Sequence, residues 1–176
     1  MKLYDAARCP YCARVRLVLA EKAAGYERVE VDLRNRPAWL YDLNPAGKVP
    51  VLDDGFVLPE SAVIMEYLEE RFPEPALLPA AAAERARARV AVFCFDDLLG
   101  DDYYAYRRGE QHELERRLAA LPVGESLFVD LAYLPWVMRL RELYGAELPA
   151  RIAAWLDQLA ARPAVAAELE LVRGLA

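Results

Sequence analysis

The chain has 176 residues, 56% of them hydrophobic and 28% charged, with a formal net charge of −6. That size buries a core as one domain or two small ones, the composition excludes a disordered chain, and the acidic balance argues against nucleic acid or an anionic membrane as main partner. Three cysteines are too few for a disulfide scaffold, Met1 to Asp5 carries no signal-peptide pattern, and no apolar run reaches the ~18 residues of a membrane span, so a cytoplasmic location is expected.

Lys2 to Asp5 predicts a strand and Ala13 to Ala24 a helix, with Val15, Val18, Leu19 and Lys22 on one face. Glu27 to Leu33 alternates apolar and polar residues and predicts a strand. Pro37 opens a short helix through Trp39, Leu40 and Leu43, and Asn44 to Gly47 is a turn. Val49 to Leu52 and Phe56 to Leu58 are strands joined by a hairpin at Asp53-Asp54-Gly55. Glu60 to Phe72 is a helix, completing the order β-α-β-α-β-β-α. The Pro-rich stretch 75–83 then reads as a linker between a first domain, 1–74, and an all-helical second one, 84–176. Within the second, helices are expected over Glu84–Tyr106, Gln111–Leu121, Phe128–Tyr144, Pro149–Ala161 and Pro163–Arg173. Pro135 should kink or break the third of these.

The chemistry concentrates at Cys9-Pro10-Tyr11-Cys12, where the first strand hands over to the first helix. A cysteine at a helix N-terminus sits beside free N–H groups and the positive dipole end, which favour its thiolate. A C-x-x-C cysteine in such a place drops from a pKa of ~8.5 into roughly 3.5–7.5. Arg8 adds positive charge. Cys12, one turn further in, is either a resolving thiol or a packed helix residue. The bland reading of both is inert core cysteine. Zinc is not expected: it takes about four Cys or His ligands, His112 is the only histidine, and Cys94 lies in an apolar helix.

Several stretches resemble one family. Cys9 to Cys12 followed by Arg14-Val15-Arg16-Leu17-Val18-Leu19-Ala20-Glu21-Lys22 resembles the cysteine-type branch of the cytosolic glutathione transferases: omega-like transferases, transferase-shaped glutaredoxins and stringent starvation proteins. Asn44 to Leu52 is similar to that family's turn and cis-proline strand, and Glu60 to Ile64 to its glutathione-clasping turn. Asp130-Leu131-Ala132 with Pro135-Trp136 resembles its buried capping segment. The resemblance implies a thioredoxin-like α/β N-terminal domain followed by an all-α domain, here shortened between about 85 and 125. Leu127 stands where the family places Ser or Thr three residues before its aspartate, so the reciprocal capping box is broken. Asp130 is left to meet free N–H groups at the start of its own helix.

The same resemblance implies the site. Cys9 is the expected nucleophile, with Cys12 as resolver. The Val49–Pro50 bond is expected to be cis, exposing the Val49 backbone so that a thiol peptide pairs with it as an added strand. Glu60 and Ser61 would hold the γ-glutamyl carboxylate; the bland alternative is an ordinary helix cap. Arg36 matches the place where omega-like members direct a lysine to the glycyl carboxylate, and it reads equally as a solvated loop charge, as does Lys48. Tyr11 packs along the bound peptide or covers its helix. Tyr103, Tyr104 and Tyr106 line a second-substrate pocket or simply pack, and Asp96, Asp97, Asp101 and Asp102 read as a solvated face.

The expected activity is glutathione-dependent thiol–disulfide exchange through Cys9, with glutathione or another small thiol as co-substrate, no metal, and a small-molecule or protein disulfide as substrate. Conjugation to an electrophile is a second possibility, with Tyr4 the only first-strand hydroxyl able to support it. From another class comes a stringent starvation-like binding protein acting on RNA polymerase without catalysis. Family members pair as homodimers, and Val90, Val92 and Phe93 cannot all face one core, so a homodimer is expected.

Overall fold

The structure, a computed structural model, describes residues 1–176. It divides into two compact units, Met1–Ala76 and Leu77–Ala176.

In the first unit, β1 (Lys2–Asp5), α1 (Pro10–Glu21), β2 (Glu27–Glu30), α2 (Ala38–Leu43), β3 (Val51–Asp53), β4 (Val57–Pro59) and α3 (Ser61–Arg71) follow in the order read from the sequence. The sheet order is β2-β1-β3-β4. β1 runs parallel to β2, with Lys2 opposite Glu27, and antiparallel to β3, with Leu3 opposite Leu52. The β1-α1-β2 crossover followed by the β3-β4 hairpin and α3 is the thioredoxin-like arrangement. α1 packs on α3, and nine of its twelve residues are buried, Arg14 and Arg16 among them. β2 is shorter than its alternation predicts. Asp32 Oδ1 accepts the Arg34 N–H at 2.8 Å, an Asx turn that bends the chain away from the sheet.

The second unit holds α4 (Ala82–Phe93), a π-helical turn (Asp96–Gly100), α5 (Asp101–Arg108), α6 (Leu114–Ala119), α7 (Leu127–Tyr144), α8 (Ala150–Leu159) and α9 (Pro163–Arg173). Leu77 and Leu78, placed in the linker by composition, are buried. The Leu77 carbonyl accepts the Phe128 N–H at 3.2 Å and the Ser126 hydroxyl at 3.3 Å. α7 is the axis of this unit, with every residue from Phe128 to Leu140 buried. It packs on α4, α8 and α9. The expected break at Pro135 does not occur. The lost backbone bond and ring clash cost about 3 kcal/mol, less than burying several large apolar side chains at about 1.5–3 kcal/mol each returns.

The helix expected over Glu84–Tyr106 carries instead a π turn at Asp96–Gly100. Gly100 permits it: a Cβ there would stand 2.6 Å from Asp96 Oδ1 and 2.9 Å from Phe95 Cε1. The next helix is shorter than expected. Gly109, at φ +68, ends α5, and Asp102 captures the start of α6. Its Oδ1 accepts the Glu113 N–H at 2.5 Å and its Oδ2 accepts Arg117 Nε at 2.8 Å. That Glu113 N–H bond, with Arg117 beside it, holds the Asp102 carboxyl below its ordinary range. Asp102 is therefore a cap across the turn and not part of a solvated face, whereas Asp96, Asp97 and Asp101 are exposed.

Tyr103 is fully buried, edge-on to Tyr104 at 5.0 Å and to Tyr144 at 6.2 Å. It is a packing residue, so the pocket reading fails for it. Asp130 does not serve the N–H groups of its own helix. Its Oδ1 accepts the Gly124 N–H at 2.7 Å and the Trp155 indole N–H at 3.0 Å. Ser126 occupies the N-cap of α7 without a side-chain cap bond, so the capping box is absent as read.

Candidate functional site

Pro10 fixes the start of α1, because its ring presets helical φ and its missing N–H has no partner to lose at a first helical position. Cys9 is therefore the N-cap, in extended conformation. Its N–H donates to the Ala6 carbonyl at 2.9 Å, and its Sγ lies 3.8 Å from the Val49 carbonyl. The loop that carries it is braced from below. Asp5, wholly buried at the end of β1, takes Arg16 Nη1 at 2.5 Å and also Arg28 Nε. Arg16 Nη2 reaches the Ala7 carbonyl at 3.5 Å. Arg8 is exposed.

Cys12 lies one turn inside α1 with no exposed surface, in a cluster with Ala6, Cys9, Val31, Leu40, Val49 and Val51. Burial pushes its thiol well above the usual cysteine value; the hydrogen bond to Cys9 and the negative charge of Cys9 and Asp5 push the same way. The two sulfurs differ in access: Cys12 is fully buried, whereas Cys9 keeps 9% exposure.

The Val49–Pro50 bond is cis. Val49 makes no backbone hydrogen bond through its N–H within the chain, so its amide edge beside Cys9 Sγ is available to an extended peptide. Asn44 shapes the approach to it. Its Nδ2 donates to the Lys48 carbonyl at 3.0 Å, and its Oδ1 accepts the Ala46 N–H at 3.1 Å. Gly47 is needed here: it has φ +61, and a Cβ would come within 2.5 Å of the Tyr41 ring. The Lys48 and Arg36 side chains are exposed.

Glu60, at φ +70, is the N-cap of α3 and is exposed, and no side-chain bond caps that helix. Ser61 is the first helical residue and is buried. Its Oγ accepts Arg14 Nη1 at 3.4 Å. The Arg14 guanidinium also stands over the half-buried Tyr11 ring, 5.4 Å from its centre. The structure therefore groups Cys9, Cys12, Val49 and Pro50 around one sulfur. Through Arg14 it joins Tyr11 to Ser61. It leaves Arg36, Lys48 and Glu60 as exposed side chains. Arg14 escaped the sequence reading. Its signal was the helical spacing, since it stands three residues after Tyr11 and four before Val18 and so falls on a buried stripe. Tyr4, the first-strand hydroxyl, carries its ring 5.3 Å from that of Trp39. No group of three or more His, Cys, Asp or Glu side chains is placed to hold a metal ion, and no helix is long and apolar enough to cross a membrane.

Residues 3–76 match the family described as the glutathione S-transferase N-terminal domain. The chain is 30% identical to glutathione S-transferase omega-1 of Rattus norvegicus, over 81% of this chain and 68% of that one. It is 41% identical to the stringent starvation protein A homolog of Haemophilus influenzae, over 63% of this chain and 51% of that one. Among solved structures, glutathione transferase Omega 2S from Trametes versicolor superposes with a TM-score of 0.80 at 25% identity, covering 99% of this chain and 95% of that one.

Proposed function

The chain belongs to the cytosolic glutathione transferase superfamily, and from that premise we propose that it is a cytoplasmic thiol transferase that removes glutathione from mixed disulfides through Cys9. The observation that carries this reading is the pairing of Cys9, at the N-cap of α1 and 3.8 Å from the Val49 carbonyl, with a fully buried Cys12 one turn behind it. The Cys9 thiolate attacks the glutathionyl sulfur of a mixed disulfide. The Cys9–glutathione disulfide forms and the substrate thiolate leaves to take up a proton. A second glutathione thiolate then attacks the same glutathionyl sulfur, releasing oxidised glutathione and the Cys9 thiolate. Glutathione is the co-substrate, and the Val49 backbone, Pro50, Tyr11, Ser61, Glu60, Arg36 and Lys48 are its proposed contacts. Incubation with glutathione disulfide followed by intact-protein mass spectrometry should show one glutathionyl adduct, mapped to Cys9. Absence of both the adduct and a Cys9–Cys12 disulfide would remove this reading.

Conjugation is the weaker alternative, because a cysteine beside the glutathione sulfur forms a disulfide with it. Binding without catalysis has one observation in its favour, the 41% identity to a stringent starvation protein homolog. Thiol-probe titration separates the two. A Cys9 that reacts only above the ordinary thiol pKa of ~8.5 supports the binding reading.

If Ser61 holds the γ-glutamyl end, its contact is present in ground and transition states alike. Ser61→Ala should then raise the KM for glutathione more than it lowers kcat. A lost bond to a charged group is worth about 1.5–3 kcal/mol, roughly a ten- to 150-fold rise. An unchanged KM would leave Ser61 as a plain helix residue.

The second copy of the chain is a further proposed partner. The first unit exposes Phe56, Val57 and Val63, and the second exposes Val90 and Phe93, the last at 89%. Val92 is buried, so α4 presents apolar residues on opposite faces. Exposed apolar patches of this kind mark interaction sites. Sedimentation at micromolar concentration should show a dimer that Phe93→Glu shifts to monomer; a monomeric native chain would rule the pairing out.

A further inference from the structure

Arg14 is 3% exposed on α1 and donates from Nη1 to Ser61 Oγ at 3.4 Å. A guanidinium carries only donors and stays charged. Ser61 Oγ must therefore accept from Arg14, which turns its own proton elsewhere. Ser61 is also the first residue of α3, where the N–H groups of the first turn lack intrahelical acceptors and the helix dipole is positive. The start of α3 thus offers a hydroxyl held as a donor, backbone donors beside it, and a fixed positive charge behind. Every one of these complements a group that only accepts and is negative. None complements an amine or an amide N–H.

We propose that Arg14 is a positioning residue that fixes Ser61 as a hydrogen-bond donor and so makes the start of α3 selective for a carboxylate, that of the γ-glutamyl group of the thiol peptide. The inference rests on the glutathione reading above. Its geometry has a second consequence. Arg14 rides on the helix that also carries Cys9 and Tyr11, and its guanidinium lies over the Tyr11 ring. One rigid element therefore spaces the carboxylate end of the peptide from its sulfur.

The test is calorimetric binding of two unreactive probes to the full chain. One is S-methylglutathione. The other is the same tripeptide lacking the γ-glutamyl α-carboxylate, with 4-aminobutanoyl in its place. The native protein should prefer the first by roughly ten- to 150-fold, the range for a hydrogen bond to a charged group. Arg14→Gln should collapse that preference to about twofold by weakening S-methylglutathione alone, as Ser61→Ala should. Arg14→Lys keeps the charge without the planar fork and should fall between them. A residue that merely supported the fold would weaken both probes equally. Preference undiminished in Arg14→Gln or Arg14→Lys overturns the proposal. So does a native protein that binds both probes alike, an outcome that needs no variant to fold. Native protein that binds neither probe overturns the glutathione reading itself, and this inference with it.

Discussion

Cys9→Ser should drop thiol–disulfide exchange to the uncatalysed background with every substrate, a loss of roughly three orders of magnitude or more, as expected when an attacking group is removed. Cys12→Ser should behave differently. Cys12 has no exposed surface, and burial together with its neighbours keeps it protonated. A thiol in that state is a poor nucleophile, and a second glutathione from solution resolves the Cys9 adduct instead. Reduction of a small glutathionylated substrate should therefore survive in Cys12→Ser within a few-fold. Reduction of a protein disulfide should be severely impaired, because a bulky protein on Cys9 excludes glutathione and leaves only Cys12, held against the mixed disulfide, to attack it despite its raised pKa. Cys12→Ala adds a further distinction. Serine still offers Cys9 a hydroxyl proton, whereas alanine offers none, so exchange at a given pH should be slower in Cys12→Ala than in Cys12→Ser. Parallel turnover of one small mixed disulfide and one protein disulfide decides the matter. If Cys12→Ser abolishes the first reaction while Cys9→Ser spares it, the roles are reversed. If neither substitution matters, the chain does no thiol chemistry.

What could be read from the sequence at this site was set by local rules. The strand-to-helix junction placed Cys9 at the edge of α1 and Cys12 a turn inside, although α1 begins at Pro10 and not at Ala13 as its apolar spacing indicated, because proline presets helical φ at a first position. The alternation at Val29 and Val31, the Asp53-Asp54-Gly55 turn and the helical run from Ser61 placed the first unit in order. Legibility ended where a contact comes from far along the chain. Arg14 reads locally as a helix former on a basic stretch; its meaning depends on Ser61, 47 residues away. Asp102 reads as one of four acids near Tyr103, and only the return of Glu113 and Arg117 makes it a cap. The π turn at Asp96–Gly100 has no periodic signal, because adding one residue to one helical turn changes the hydrogen bonding and leaves the apolar pattern on either side intact. At Pro135 the expectation of a break failed for the opposite reason: a strong local rule was outweighed by the burial of everything around it.

Asp130→Ala should destabilise the second unit by about 1–3 kcal/mol, because it removes the acceptor of two donors, of which the one on Trp155 is buried. Those donors are the Gly124 N–H and the Trp155 indole N–H, which join the segment before α7 and the helix α8 to one carboxylate oxygen. Asp130→Asn retains an acceptor oxygen at that point and should cost far less. The pH dependence separates the charge from the hydrogen bonds. Burial raises the Asp130 carboxyl above its ordinary value of 3.8, against the pull of its two donors. Between 3.8 and the raised native value, the native state holds a proton that the unfolded chain has released. Stability from this group is then present below 3.8 and is lost as pH rises through that window, after which it stays level. Asparagine does not titrate. The stability of Asp130→Asn relative to the native chain should therefore rise with pH across the window and become constant above it. Urea unfolding followed by tryptophan fluorescence from pH 3.5 to 7 measures this directly. A native chain that gains stability over Asp130→Asn as pH rises would mean the two hydrogen bonds outweigh burial. An Asp130→Ala variant as stable as the native chain would mean that neither donor depends on this carboxylate.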